Sequence, residues 1–66
     1  MRPREIERIL IKNGWKHKKT KGSHKHFIHD ERPGKITVPQ HKTDLDIGTA
    51  KSILTQAGID VKEYNL

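Results

Sequence analysis

The chain contains no cysteine, and this absence removes several kinds of chemistry at once. A disulfide framework, a thiolate zinc site and a cysteine nucleophile are all excluded. A small domain without disulfides is typical of a reducing compartment. The sequence also has no apolar signal region after Met1 and no run near the ~20 apolar residues that a membrane helix needs. We therefore expect a soluble, cytoplasmic protein without membrane association.

The chain is too short for an extensive core or a deep pocket. Its 66 residues predict a single domain over 1–66. A domain of this size buries only about 60% of the surface that its unfolded chain exposes. A ligand pocket of about 300 Å³ or more has little room in such a core. We therefore expect a shallow surface site, which suits a polymer substrate or a protein partner.

Acidic residues are absent from the most basic stretch of the chain. The formal net charge is +6, and the segment 16–25 holds five lysines, two histidines and no acid. Localised positive charge is typical of proteins that bind a polyanion, most often a nucleic acid. A solubilising lysine face is the alternative, but the density of this cluster favours contact with nucleic acid.

The spacing of apolar residues predicts one helix near each end of the chain. Arg2–Asn13 is predicted as a helix, since its apolar residues recur at i, i+3 and i+4 and Gly14 can end it. Trp15, directly after this stop, is expected to pack in the core rather than stack on a base. A second helix begins near Asp46–Thr49 and ends at Gly58. Its predicted apolar stripe consists of Ile47, Ala50, Ile53, Leu54 and Ala57.

Three β-rich segments lie between the helices, separated by two turns. Lys21–Ser23 and Asp30–Gly34 contain the residues that favour turns. The strands are therefore predicted over 15–20, 24–29 and 35–39.

The predicted fold class is α+β, with the element order α-β-β-β-α. Short turns make the three strands an antiparallel sheet, and both helices pack on one face of it because each has a single apolar face. The other face of the sheet stays open to water. This order and layering are those of the double-stranded-RNA-binding domain (dsRBD), which reads RNA mainly by shape, 2′-OH groups and phosphates. A shared fold does not by itself assign a function.

The histidines of the second strand are predicted to lie on the open face. Side chains alternate across a strand, so His24 and His26 share one side and Phe27 takes the other. If Phe27 faces the helices, both histidines face outward unless a bulge intervenes. An imidazole surrounded by lysines favours its neutral form near neutral pH. Near an RNA phosphate it can take the proton of a ribose 2′-OH, whose oxygen then attacks phosphorus without a metal or cofactor, while lysines stabilise the developing charge.

Each histidine also has a simpler interpretation. A histidine on a basic surface is commonly a polar residue or a phosphate contact, and this is the interpretation for His17. His24, His26 and His29 could bind zinc, but His29 has the opposite parity and no cysteine completes the site, so we expect no metal. His41 could come near the same edge of the sheet, although the favoured interpretation is that it is an exposed loop residue.

Four motifs occur in order along nearly the whole chain. They are NGW at 13–15, KGSHKHF at 21–27, PGKITVPQH at 33–41 and DLDIGTAKSILTQAGI at 44–59. The central one is Gly-Ser-His with an aromatic residue three positions after the histidine. In these motifs the chain resembles the HicA family of toxin mRNA interferases.

The resemblance implies a fold, an activity, a catalytic residue and a partner. It implies a dsRBD-like endoribonuclease that cleaves mRNA, acts as the toxin of a type II toxin–antitoxin system and arrests translation. The family's catalytic histidine is the one in Gly-Ser-His, which falls on His24 here, as general acid/base. A HicB-type antitoxin is expected to bind the toxin and block its active surface. We expect no cofactor and a monomeric free toxin.

Two departures from the family pattern leave a second catalytic group open. A further histidine often follows the motif histidine, where this chain has Lys25, and another often stands at the position of Gln40. His41 is retained. The second group is therefore left open between His26, His41 and a lysine.

Eight residues besides His24 are candidate RNA contacts. They are Lys16, Lys18, Lys19, Lys21, Ser23, Lys25, His26 and His41. The alternative function is a non-catalytic RNA-binding module of dsRBD-like fold, which explains the charge and the element order equally well. It does not explain why a histidine, and not another lysine, stands at position 24. A third hypothesis is that the chain is an interaction protein whose basic face binds only an acidic partner.

Overall fold

A computed structural model describes residues 1–40 and 44–66 of the chain. Its elements are α1 (Pro3–Lys12), β1 (Trp15–Lys21), β2 (His24–His29), β3 (Arg32–Pro39), α2 (Ile47–Gln56) and a 3-10 helix (Val61–Tyr64). The strands form an antiparallel sheet in the order β1-β2-β3. This arrangement confirms the predicted dsRBD-like α+β fold. No helix in the described ranges is long and apolar enough to cross a membrane.

Helix α1 begins at Pro3 and ends where the chain reaches Asn13 and Gly14. Pro3 fits the start of a helix because its missing N–H has no partner at that position. At the other end the Asn13 side-chain amide donates to the Ile9 carbonyl (2.8 Å), and Gly14 adopts φ +93°. The helix buries Pro3, Ile6, Ile9 and Leu10. The predicted helix is confirmed, although it is one residue shorter at each end.

The β1–β2 hairpin turns at Gly22 and Ser23 alone. Lys21 pairs with His24 and so belongs to β1, one residue beyond the predicted end of the strand. Gly22 has φ +59°, and positive φ at the first position of a two-residue loop suits the twist of the flanking strands. The hairpin therefore sets Lys21 and His24 side by side.

The β2–β3 hairpin is tighter than the sequence predicted. Strand β3 begins at Arg32, three residues earlier than expected, and only Asp30 and Glu31 stay outside the strands. The predicted turn was too long, because Pro33-Gly34 lies inside the strand, at a point where the β2–β3 register shifts. β3 is an edge strand, where a proline is tolerated although it cannot donate to a sheet.

The core lies between the helices and one face of the sheet. Phe27 of β2 is 1% exposed, and Ile36 and Val38 of β3 are buried on the same side. The two helices contribute Ile6, Ile9, Leu10, Ala50, Ile53 and Leu54. Trp15 is buried as well, and its indole N–H donates to the Ala57 carbonyl after α2 (3.3 Å). The predicted packing role of this tryptophan is therefore confirmed.

Helix α2 begins after Asp46, whose carboxylate accepts the Thr49 N–H (3.3 Å). This hydrogen bond lowers the pKa of Asp46. Ile47 was wrongly predicted to face the core, since it lies on the first turn and is 62% exposed. The helix stops before Gly58, as predicted, and this glycine adopts φ +77°. The tail beyond it forms a single 3-10 turn at Val61–Tyr64.

Candidate functional site

The open face of the sheet carries His24 and His26. The β2–β3 register is unbroken from His24↔Pro39 to Phe27↔Ile36, so side chains alternate throughout this part of β2. Phe27 faces the core, and the two histidines therefore lie on the opposite face, as the sequence predicted. The irregular part of the register begins only after Phe27.

His26 is half-buried and is fixed by a hydrogen bond to the neighbouring strand. Its Nδ1 lies 2.9 Å from Oγ1 of Thr37, its cross-strand partner on β3. Loss of hydration lowers the pKa of His26 below its ordinary value. Nearby cationic or titratable groups lower it further: Lys35, Lys19, His24 and Lys21. This lowered pKa favours the neutral imidazole form, which can accept a proton.

His24 is exposed to solvent at the first position of β2. It pairs with Lys21 of β1 and with Pro39 of β3. The Gln40 N–H donates to the Ser23 carbonyl (2.7 Å), which fixes the chain after β3 against the hairpin turn. A polymer on the open face can thus reach the His24 ring directly, with a lysine beside it.

A β-bulge in β1 decides which lysines share the face with the histidines. The register shifts at Lys18, which is the extra residue between two paired positions. Beyond the bulge, Lys19 pairs with His26 and Lys21 pairs with His24. Strict alternation along β1 would have turned both lysines toward the helices.

Lys16 lies on the open face at the other end of β1, opposite Ile28. Its Nζ is 3.0 Å from Oδ2 of Asp30, and this hydrogen bond and charge lower the pKa of that carboxyl group. Both side chains are exposed, so the pair is weak and the ammonium remains free to turn toward a phosphate.

Lys25 lies on the helix side of the sheet, and the structure does not bring it together with His24. Its Nζ is 3.1 Å from Oε1 of Glu7 on α1. Gln40 Nε2 donates to the other carboxylate oxygen, Oε2, at 3.0 Å. The Glu7 side chain is only 15% exposed. Among the candidate RNA contacts that the structure describes, Lys25 is therefore the one that strand alternation places against the helices.

His17 also lies on the helix side of the sheet, at the exposed edge of β1. Its ring centroid is 5.6 Å from that of Phe27, and its Nε2 is 3.0 Å from Oγ1 of Thr20. The bulge between them puts these two β1 residues on the same side. His17 is thus an exposed histidine that is separated from the open face by the sheet itself.

His29 has a structural role at the end of β2. Its ring packs edge-on against Trp15, with centroids 5.2 Å apart. Its Nδ1 accepts the Glu31 N–H (3.0 Å), so Nε2 carries the proton and donates to the Asn13 carbonyl (3.1 Å). Both ring nitrogens form hydrogen bonds, and the ring holds the C-terminal end of α1 against the sheet.

The remaining candidates lie at the margins of the face. Ser23 and Lys18 are exposed, at the hairpin turn and at the bulge. His41 falls outside the described residues, so its position near the sheet edge stays a prediction. Within 1–40 and 44–66, no three His, Cys, Asp or Glu side chains gather as the ligands of a metal do.

The two residues that the structure places closest in role to His26, Thr37 and Lys35, were not among the sequence candidates. Thr37 fixes the His26 ring, and Lys35 is the lysine that lowers its pKa most. Both could have been found from KITVP at 35–39. Its second and fourth residues are apolar and face the core, so the lysine and the threonine share the open face.

These features define a small α+β domain in which an open sheet face presents two histidines among lysines. The family model described as the HicA toxin of bacterial toxin–antitoxin systems matches residues 3–59 of the 66. The chain therefore belongs to the HicA toxin family, as its motifs predicted, and membership implies an antitoxin partner. No curated protein matches the chain.

Proposed function

We propose that the chain is the toxin of a type II toxin–antitoxin system and a metal-independent endoribonuclease that cleaves mRNA, with His24 as general acid/base. One observation carries the proposal: in a HicA toxin, the exposed His24 stands beside Lys21 on the open basic face. A lysine at this position could bind RNA equally well. It could not readily exchange a proton near neutral pH, as an imidazole can.

Cleavage of RNA at this face uses the substrate's own 2′-OH as nucleophile. The O2′–P bond forms and the P–O5′ bond breaks, which yields a 2′,3′-cyclic phosphate and a free 5′-OH. One proton leaves the 2′-oxygen and one reaches the 5′-oxygen, and an imidazole can perform such transfers. Lys19, Lys21 and Lys35 lie on the same face and stabilise the charge on the phosphate oxygens.

The proposed RNA path runs over the open face from the hairpin turn toward the far end of β1. Contacts proposed on this face are Lys16, Lys19, Lys21 and His26. Lys18 and Ser23 flank it, and His41 remains a predicted contact. Lys25, paired with Glu7, is the least suited of the sequence candidates.

The proposed protein partner is a HicB-type antitoxin that covers the open face. Blocking His24 requires covering this face, and its lysines suit an acidic antitoxin surface. We propose that the free toxin is a monomer that acts in the cytoplasm. RNA and antitoxin then compete for the same lysines.

A non-catalytic RNA-binding module is the alternative that the same basic face supports. The two functions predict different fates for bound RNA. A nuclease shortens the RNA and leaves cyclic-phosphate ends, whereas a binding module retards it in a gel and leaves it intact.

Purified protein and labelled RNA, incubated with EDTA, test the proposal directly. We expect wild type to cleave without added metal and His24→Ala to lose about 10²- to 10⁴-fold in rate. His17→Ala is the matched control, because it removes an exposed histidine from the other side of the sheet, and it should cleave like wild type. Retarded but intact RNA with folded wild type would favour the binding module.

A further inference from the structure

His24 and His26 form a pair of imidazoles on one face of one strand. Residues i and i+2 of a strand lie about 6.6 Å apart along its axis. In an in-line displacement the attacking and leaving oxygens stand on opposite sides of phosphorus. Each transfer group needs to be within about 3 Å of its oxygen. The spacing of the two histidines therefore matches one phosphodiester placed between them.

We propose that His26 is a second catalytic histidine, which takes the proton of the 2′-OH while His24 gives a proton to the leaving 5′-oxygen. The inference rests on the proposed nuclease function and divides its two proton transfers between two residues. The 2′-OH proton moves to Nε2 of His26 as the O2′–P bond forms. The imidazolium of His24 protonates the 5′-oxygen as the P–O5′ bond breaks, and a proton exchange with water resets both rings.

The contact with Thr37 suits His26 to the role of base. When Nδ1–H donates to Thr37 Oγ1, across the observed 2.9 Å, the Nε2 lone pair is free to accept a proton. The same donor remains after Nε2 is protonated, so the ring need not turn during the reaction. Thr37 is thus a positioning residue, which acts through His26.

The charges around His26 favour the same assignment. The groups that face it are Lys19 and Lys21 on β1, His24 on β2 and Lys35 on β3. Together with partial burial they lower the pKa of His26, which keeps the ring neutral and ready to act as base. His24 differs in its position, because it is exposed to solvent at the first residue of the strand.

A pair of RNA oligonucleotides that differ in one atom separates the two roles. The linkage that wild type cleaves is first mapped, and its 5′-oxygen is then replaced by sulfur. A thiolate leaves without being protonated, so the modified linkage needs a base but no acid. Wild type, His24→Gln and His26→Gln are assayed on both substrates, with His17→Gln as the control for loss of a histidine elsewhere.

We expect His26→Gln to lose about 10²- to 10⁴-fold on both substrates. His24→Gln should lose a comparable factor on natural RNA and regain most of it on the sulfur substrate. Natural cleavage by His26→Gln at the wild-type rate would overturn the pair while leaving His24 as the single catalytic group. Sulfur rescue of His26→Gln, but not of His24→Gln, would overturn the assignment of roles. Natural cleavage by His24→Gln at the wild-type rate would instead remove the proposed function itself.

The positioning role of Thr37 has its own test. Thr37→Val removes the hydroxyl with little change of shape, and we expect a lower kcat with little change in KM. Thr37→Ser keeps the hydroxyl and should recover most of the rate. Equal activity of the valine and serine variants would show that the hydroxyl does not orient His26.

Discussion

The Glu7 carboxylate of α1 binds the Lys25 ammonium of β2 at 3.1 Å, on the face of the sheet opposite to His24. The other carboxylate oxygen accepts Gln40 Nε2–H at 3.0 Å. Lys25 and Gln40 are the two positions at which the sequence resemblance led us to expect a histidine, and both bind this one carboxylate. The contact joins the first helix, the central strand and the chain after β3. We therefore interpret both departures as one structural feature.

Loss of the Lys25 ammonium should destabilise the fold without weakening RNA contact. Lys25→Met leaves the 15%-exposed Glu7 carboxylate with Gln40 as its one partner among the described residues, and we expect the free energy of unfolding to fall by about 1–3 kcal/mol. Urea denaturation measures this change. Adding Glu7→Leu should recover part of the loss, because no charge then stays half-buried. Lys16→Met, which breaks an exposed pair, is the control and should change stability little; an equal loss in both variants would contradict the prediction.

Gly14→Ala should destabilise the protein more than Gly22→Ala. Both glycines have positive φ, +93° and +59°, so each substitution incurs backbone strain of about 1–3 kcal/mol. At Gly14 the new Cβ also meets the His29 ring, 2.6 Å from Nε2, and that ring is held by hydrogen bonds at both nitrogens. At Gly22 no atom of residues 1–40 or 44–66 lies within 4 Å of the new Cβ. Thermal unfolding of the two variants measures the difference. Equal losses of stability would mean that the His29 ring moves away from the new Cβ at little cost.

Lys35→Met should raise the pKa of His26. A nearby ammonium disfavours the imidazolium form, so its removal moves the pKa back toward its ordinary value. NMR titration of the His26 ring protons measures the shift, and a base of raised pKa moves the acidic limb of the kcat/KM profile to higher pH. Lys16→Met is the matched control, because Lys16 is not among the groups that lower this pKa. An unchanged His26 titration in Lys35→Met would contradict the placement of Lys35 beside His26 on the open face.

RNA affinity should depend on salt through the lysines of the open face. Each phosphate contact to single-stranded RNA contributes about −0.7 to the slope of log K against log salt. Lys19→Gln and Lys21→Gln should each reduce the magnitude of the slope by about this amount. Lys25→Gln should leave the slope unchanged, because its ammonium is bound to Glu7 on the other side. If Lys25→Gln changed the slope as strongly as Lys21→Gln, the RNA site could not be confined to the open face.

The element order and the outward direction of the histidines could be predicted from sequence. Local patterns decide both: the apolar spacing of the helices, and the alternation around Phe27 in a stretch of β2 whose register has no bulge. The side of the sheet on which Lys19 and Lys21 lie could not be predicted from such local patterns. It depends on a bulge at Lys18, in a strand whose polar residues gave no apolar pattern to reveal it.

Local sequence patterns also could not predict contacts between residues that are distant in sequence. Lys25 looked like one more cation of the basic cluster, and only the packing of α1 on the sheet brings Glu7 to it. Arg32 and the Pro33-Gly34 pair read as a turn because proline and glycine favour turns, yet an edge strand accommodates them. Ile47 fits the apolar spacing of α2, but its position on the first turn leaves it outside the core.

A paired induction in the same cells shows whether toxicity depends on His24. Wild type, His24→Ala and His17→Ala are expressed at equal abundance, with folding of the purified proteins checked by circular dichroism, while growth and mRNA integrity are followed. A nuclease that depends on His24 predicts growth arrest and mRNA degradation with wild type and His17→Ala, and neither with His24→Ala. Equal arrest by all three proteins would contradict it and would mean that toxicity comes from binding by the basic face alone.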